Sequence, residues 1–274
     1  MKIIISVVCY NNEDEIAAFA EMLNKQTMSS DIELVVTCNL CNAPEKFRAR
    51  LGEIRKGTRV FCPEKNLGYL HGCLYGVERY GGAFDWAILS NTDITFKKES
   101  FIEDLLSSCE KDNDVWAIAP NTFRSSNGVQ QNPFCLSRPS CRRMWLWKTA
   151  YSTALTFSLY FLLAAIKRKI KKEEVEHIDS GYIYAEDGSF FMLHRDCIRA
   201  LQGEKDDIFM YGEELLIAEI ISENGKKIFY DKDAILIHNE NSTTGKILSR
   251  QKQKWFKKSY RYLFQRFFSS RGVS

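Results

Sequence analysis

What this 274-residue chain lacks narrows it first. No apolar run reaches the roughly 20 residues of a comfortable bilayer span; the nearly uncharged stretch 151–166 is about 16 long. The start, Met1-Lys2-Ile3-Ile4-Ile5-Ser6-Val7-Val8, turns polar too soon for a signal peptide, so a cytosolic protein that begins in a strand is expected. Net charge is only +3 with a pI near 8.3, too small an imbalance to point to nucleic acid. There is no G-x-G-x-x-G spacing, no internal repeat and no RNA-binding signature. Cys38-Asn39-Leu40-Cys41 has C-x-x-C spacing, but no second pair follows to complete a zinc site. The nine cysteines, an odd number, therefore read as single reduced thiols.

What is present is a sizeable core, since 45% of residues are apolar and 13% aromatic. One large α/β domain, or two intimately joined ones, fits the length. Residues 2–9 are a β-branched run ending at Tyr10-Asn11-Asn12, as a buried parallel strand with a polar carboxyl end would be. Acidic residues then open a helix with Ile16, Phe19, Ala20 and Leu23 at helical spacing. Strands over 32–37 and 58–62 bracket a charged helix over 44–54, which is the βαβ rhythm of a doubly wound sheet. In 66–76, Gly68, Gly72 and Gly76 allow either close backbone approach to a ligand or ordinary helix-to-sheet packing, and His71 reads as a packing or surface residue.

The run Ala87-Ile88-Leu89-Ser90 stops abruptly at Asn91-Thr92-Asp93. Ligands of open α/β sheets sit at such carboxyl ends. An Asn and an Asp two apart can hold a divalent cation or a sugar hydroxyl; they can equally make an Asx turn. A helix over 99–110 and a strand over 116–120 follow, and the rhythm breaks over 121–143, where the two halves are expected to join.

The second half opens on Arg142 and Arg143, the apolar stretch, then Lys167-Arg168-Lys169 and Lys171-Lys172. A helix on an anionic bilayer surface looks like this, as does a buried helix with a solvated basic end. Residues 188–193 are strand-like and 195–201 helical. Glu213-Glu214 stand where an apolar turn enters a helix, as a general base at a cleft edge or as a dipole-stabilising start. Short strands are expected over 227–230 and 234–237, the second ending at His238 among polar groups, where a metal or phosphate contact is chemically reasonable. Residues 246–271 form a basic, aromatic amphipathic helix suited to a membrane surface or to covering the core.

Six short pieces, in this order, resemble the family 2 glycosyltransferases. They are Val7-Val8-Cys9-Tyr10-Asn11-Asn12, Asn66-Leu67-Gly68-Tyr69, Leu89-Ser90-Asn91-Thr92-Asp93, Gly188-Ser189-Phe190-Phe191, Phe209-Met210-Tyr211-Gly212-Glu213-Glu214, and His238 with Ser242-Thr243. The resemblance implies a GT-A nucleotide-diphospho-sugar transferase fold: an α/β protein with a mostly parallel, Rossmann-like central sheet flanked by helices. It divides the chain into a nucleotide-sugar-binding half (1–125), an acceptor-binding half (126–244) with an apolar and basic insertion (142–172), and a basic C-terminal helix (245–274).

The implied activity is inverting, metal-dependent hexosyl or deoxyhexosyl transfer to a saccharide or lipid-linked acceptor, rhamnosyltransferase-like, in bacterial surface-polysaccharide synthesis. It would take place peripherally on the inner face of the cell membrane, with no nucleic-acid partner. By the same resemblance, Tyr10 and Asn39 lie near the nucleotide base, and Asn66 and Gly68 near the ribose and phosphates. Asp93, Asn91 and His238 hold Mn²⁺ or Mg²⁺, and Glu214 or Glu213 is the base, with Glu214 favoured. Three positions depart from the family pattern: Cys38 or Asn39 replaces an Asp, Asn91 opens the metal motif, and Leu216 follows the acidic pair where relatives commonly carry Asp. They support an alternative, a catalytically degenerate protein that binds a nucleotide-sugar or glycan.

Overall fold

The isoleucine- and valine-rich start forms β1 (Ile3–Tyr10). Alternate residues of a strand face opposite sides, so Ile3, Ile5, Val7 and Cys9 enter one core and Ile4 the other. A computed structural model of the chain describes residues 1–109, 112–170, 178–206, 208–239 and 249–269. After β1 come α1 (Glu13–Asn24), β2 (Ile32–Leu40), α2 (Pro44–Ile54), β3 (Arg59–Phe61), α3 (Leu70–Tyr80), β4 (Trp86–Ser90), β5 (Ile94–Phe96) and α4 (Phe101–Ser107). They are followed by β6 (Val115–Arg124), α5 (Cys141–Ala150), α6 (Ala154–Ile170), β7 (Gly181–Ile183), β8 (Phe190–His194), α7 (Arg195–Gly203), α8 (Glu213–Glu223), β9 (Lys227–His238) and α9 (Ser249–Leu263). A π-helical turn, Phe264–Phe268, extends α9.

The strands make one sheet in the order β3-β2-β1-β4-β8-β6-β9-β5, with β7 also paired to β9. Residues of α1 and α4 cover one face; α3, α5, α7, α8 and α9 contribute to the core on the other. The expected helix-flanked α/β sheet, mostly parallel, is therefore present, with antiparallel pairs at β8, β5 and β7. Parallel pairing joins β3, β2, β1 and β4, and separately β6 with β9. By contrast β8 is antiparallel to β4 and β6, and β5 and β7 are antiparallel to β9.

One element differs from expectation for a local reason. The strands expected over 227–230 and 234–237 are one strand, because the polar residues between them keep backbone partners: Asn121 Nδ2 donates to Lys232 O (2.8 Å), and Lys232 N donates to Ser180 Oγ (3.0 Å). The apolar stretch 151–166 lies in the helix α6 from residue 154 on, and residues 151–153 form the break that separates it from α5. Thr153 Oγ1 accepts from the Thr156 N–H (3.2 Å), as N-cap hydroxyls do, so α6 starts afresh after α5 at a bend of 117°. Among the described residues no single helix is long and apolar enough to cross a membrane, although α5 and α6 pass that test together as a bent pair. Several positions singled out from sequence lie outside the described residues: Glu110, Lys171, Lys172, Ser242, Thr243, Thr244, Lys246 and Arg271.

The tail covers core. Tyr260, Leu263, Phe267 and Phe268 are buried, and the Tyr151 ring meets those of Tyr260 (4.7 Å) and Phe256 (5.0 Å). One ion pair latches it. Arg138 Nε and Nη2 donate to the buried Glu219 carboxylate (2.8 and 3.1 Å), Nη2 also donates to Phe267 O (3.0 Å), and the guanidinium lies over the Phe268 ring (4.2 Å). Removing one partner of such a pair leaves an uncompensated buried charge. Arg138→Ala is expected to cost about 3 kcal/mol, read as a lower urea midpoint with an unchanged slope.

Candidate active site

The functional positions gather at the carboxyl ends of β1, β2 and β4, the start of α8 and the end of β9. Antiparallel pairing of β5 with β9 sets Ile94 opposite His238, and the Asn239 N–H bonds Asp93 O (2.7 Å). Asp93 and His238 are thereby brought side by side, both buried, with Asp93 Oδ1 3.3 Å from His238 Nε2. The other imidazole nitrogen, Nδ1, lies 3.1 Å from Gln131 Oε1, an acceptor. That bond places the proton on Nδ1 and turns the Nε2 lone pair toward Asp93. Asn91 Nδ2 is 3.4 Å from the same Nε2.

A carboxylate oxygen and an imidazole lone pair facing each other need a cation between them, whether a proton or a metal ion. Asp93 Oδ2, also buried, has no hydrogen-bond partner among the described residues. Asp93, His238 and Asn91 thus offer the oxygen and nitrogen donors that suit Mn²⁺ or Mg²⁺. The middle residue of the motif is structural: Thr92 Oγ1 donates to Glu15 Oε1 and accepts from Asn12 Nδ2 (3.0 Å), clasping the β4 end to the start of α1.

The acidic pair lies next along the cleft. Asn91 N donates to Ser189 O (2.8 Å), and the adjoining Gly188 is so close to Glu214 that a Cβ there would sit 3.0 Å from Oε1. Glu213 is buried, with Oε2 unpartnered among the described residues. Burial first, then the charges of Asp187 and Asp206, pushes its carboxyl up to about 7. Glu214 is pushed well above the usual range by burial and then by Glu213; its Oε2 accepts from the Gly212 N–H (3.2 Å). Adjacent acids of this kind hold one proton between them near neutrality. Backbone strain at Tyr211 (φ 65°) and Gly212 (φ 109°) turns the chain so that α8 begins at this pair.

No protein-family model and no curated protein matches the chain. Solved structures do. The mannosyltransferase PcManGT from Pyrobaculum calidifontis, in complex with GDP-Man and Mn²⁺, superposes with a TM-score of 0.56 at 13% identity, over 88% of this chain and 58% of that one. GalNAc-T7 with UDP, GalNAc and Mn²⁺ gives 0.62 at 14% identity, over 88% of this chain and 44% of that one. The fold is GT-A. The chain spans little more than half of the first protein and less than half of the second.

Within this GT-A frame the other positions sort by what their side chains touch. Tyr10 is 41% exposed at the β1 end, on the rim. Asn39 is engaged with backbone: Nδ2 donates to Gly68 O (2.8 Å) and Oδ1 accepts from Leu67 N (3.0 Å). Asn66 Oδ1 accepts from Gly68 N (2.8 Å), an Asx turn. These two residues shape the 66–69 loop. His71 pairs with Asp206 (2.9 Å), and that bond raises its pKa. A cavity of about 320 Å³ lined by Leu136, Arg138, Tyr184, Ala218 and Lys227 shares none of these residues.

Sequence reasoning passed over Gln131, Asp187, Ser189 and Glu15. Their only signal was polarity beside a strand or at a helix start, which surface loops share. Gly68 has a requirement of its own. At φ 79° a Cβ there would meet Phe209 O at 2.0 Å, where the same carbonyl accepts the Tyr69 N–H (3.3 Å). Gly68→Ala is therefore expected to displace the 66–69 loop and lower stability by about 1–3 kcal/mol. Faster amide exchange at Tyr69 than in the parent protein would report the displacement.

Proposed function

We propose that the protein is an inverting glycosyltransferase that moves a hexosyl or deoxyhexosyl group from a nucleotide-diphospho-sugar to a hydroxyl of a saccharide or lipid-linked saccharide acceptor, as family 2 enzymes do in bacterial surface-polysaccharide synthesis. The observation that carries this reading is Asp93 facing His238, with the Asn91–Ser189 backbone bond joining that motif to Gly188, which packs against Glu214. The GT-A fold, shared with two proteins solved with nucleotide or nucleotide-sugar and Mn²⁺, supports it.

Asp93 and His238, with Asn91 assisting, would hold Mn²⁺ or Mg²⁺. When bound, the cation supplies positive charge to the departing diphosphate. The chain's own groups do the rest. Gln131 fixes the imidazole so that Nε2 faces the metal position. Ser189 O holds Asn91 in place. One carboxylate of the acidic pair, for which Glu214 is our choice, acts in its deprotonated form and takes the proton from the acceptor hydroxyl as oxygen attacks the anomeric carbon. A single displacement inverts configuration.

Glu214→Gln is expected to lower turnover by about 10²–10⁴-fold with the donor affinity retained, and Asp93→Ala to abolish the Mn²⁺-dependent thermal shift by nucleotide-sugars. The raised pKa values set the pH response: the base works when deprotonated and Glu214 is held well above the usual carboxylate range, so turnover should fall on acidification at a higher pH than an ordinary carboxylate would give. Unchanged turnover in both variants would exclude the assignment. Donor binding without transfer or hydrolysis in the parent protein would favour the degenerate reading instead.

A peripheral membrane site belongs to the same proposal. Helix α6 presents Leu155 (80% exposed), Leu159, Leu162, Leu163 and Ile166 outward, and α5 adds Trp145 and Leu146. Exposed Arg142, Arg143 and Lys167 lie on the same helices. An apolar face bordered by cations fits an anionic headgroup layer. Cosedimentation with phosphatidylglycerol vesicles, weakened by salt and by the pair Leu155→Glu and Leu162→Glu, is the expected outcome; equal recovery with neutral vesicles would contradict it.

A further inference from the structure

The C-x-x-C spacing of Cys38 and Cys41 is incomplete within its own segment, and the fold completes it from another strand. Parallel register sets Cys9 of β1 beside Cys38 of β2 on the same sheet face. The chain then turns at the β2 end to return Cys41 to them before α2 begins. The three sulfurs lie within 4.8 Å of one another, two of them buried and Cys41 half-buried. Tetrahedral zinc with 2.3 Å bonds spaces its sulfurs about 3.8 Å apart, so each pair need close by no more than about 1 Å.

The surroundings suit a cation. Backbone N–H groups of Asn12 and Ala43 are directed at the sulfurs of Cys9 and Cys41. Such bonds stabilise thiolates once protons leave. The Glu13 carboxylate, held by the Asn42 N–H (3.0 Å), adjoins Cys41 on the outer side of the trio. We propose that Cys9, Cys38 and Cys41 bind one thiophilic divalent cation of the zinc class.

Binding involves no change of oxidation state. Each coordinating thiol releases its proton to solvent as a metal–sulfur bond forms. Without a cation, the hydrogen bond that Cys38 donates to Cys9, and then burial, hold Cys38 above the usual thiol range, and burial pushes Cys41 up to about 11. Affinity should therefore rise with pH as the thiols give up protons. The donor sets at the two sites differ in kind: three sulfurs here, oxygen and imidazole nitrogen at Asp93 and His238, which separates soft from hard cations. The sulfur site ties the ends of β1 and β2 together directly beside Tyr10 and Asn39. It stands on this geometry alone and does not depend on the activity proposed above.

The test uses the full chain, fully reduced and stripped with a chelator. One equivalent of Co²⁺ should produce a thiolate-to-metal charge-transfer band that Zn²⁺ then abolishes, and Zn²⁺ should protect three thiols from alkylation. Cys41→Ser, at a half-buried position, should weaken zinc binding by more than about tenfold. Cys109→Ser and Asp93→Ala should leave it unchanged. Absence of the band in natively folded protein, zinc binding indifferent to Cys41→Ser, or protection of thiols outside this trio would each overturn the proposal. Protection in the parent protein decides the matter even if the serine variant does not fold.

Discussion

The candidate site depends on one pairing, that of the three-residue strand β5 with the end of β9. Without it Asp93 would sit on a loop after β4 and His238 at an unrelated strand end, 145 residues later in the chain. The pairing is short, so its stability comes from what surrounds it. Phe96 stacks on Phe101 (4.7 Å) and meets Phe190 edge-on (6.3 Å), anchoring β5 in the core beneath α4. The Thr92, Asn12 and Glu15 clasp restrains the turn on the other side. A functional pair is thus set on rigid elements, as catalytic positioning within fractions of an ångström requires.

Beyond that pair the protein buries several carboxyl groups. Glu186 is fully buried with both carboxylate oxygens unpartnered among the described residues, and burial pushes its pKa well above the usual range. With Glu213 and Glu214 likewise raised, much of the cleft's acid is held neutral near pH 7. Each proton so held costs little to give up when a cation or a cationic transition state arrives.

Much of this was legible in the sequence where the signal was local. Apolar runs and helical spacing placed β1, α1, β2, α2, β4 and α7 within a few residues of their bounds, because burial on a sheet imposes that pattern on any chain. Asn91, Asp93, Glu213, Glu214 and His238 were singled out from six short pieces in order, and the fold brings Asn91, Asp93 and His238 together. What stayed hidden was non-local. The strands β5 and β7 are three residues each and carry no period. Asn39 reads as a ligand residue until Gly68 O and Leu67 N are seen to engage both ends of its amide. Cys9 joins Cys38 and Cys41 only through strand register, which no spacing rule within one segment can reveal.

The C-terminal helix and the α5–α6 corner, both basic and aromatic, are not interchangeable candidates for a surface role. The aromatic face of α9 is already occupied: Phe256 stacks on Tyr211 (4.4 Å), Trp255 meets Phe209 (5.2 Å), and Ser259 Oγ donates to Met210 O (3.2 Å). These contacts fall on the residues that lead into Glu213. Pulling α9 onto a membrane would strip the support from the acidic pair and expose Tyr260 and Leu263, both buried. The leucines of α6 face outward with no such contacts to lose, while Tyr151, Phe157 and Phe256 join the base of α6 to α9. An attachment through α6 would therefore hold the molecule by a helix braced against the very element that positions the acidic pair, with the cleft geometry undisturbed.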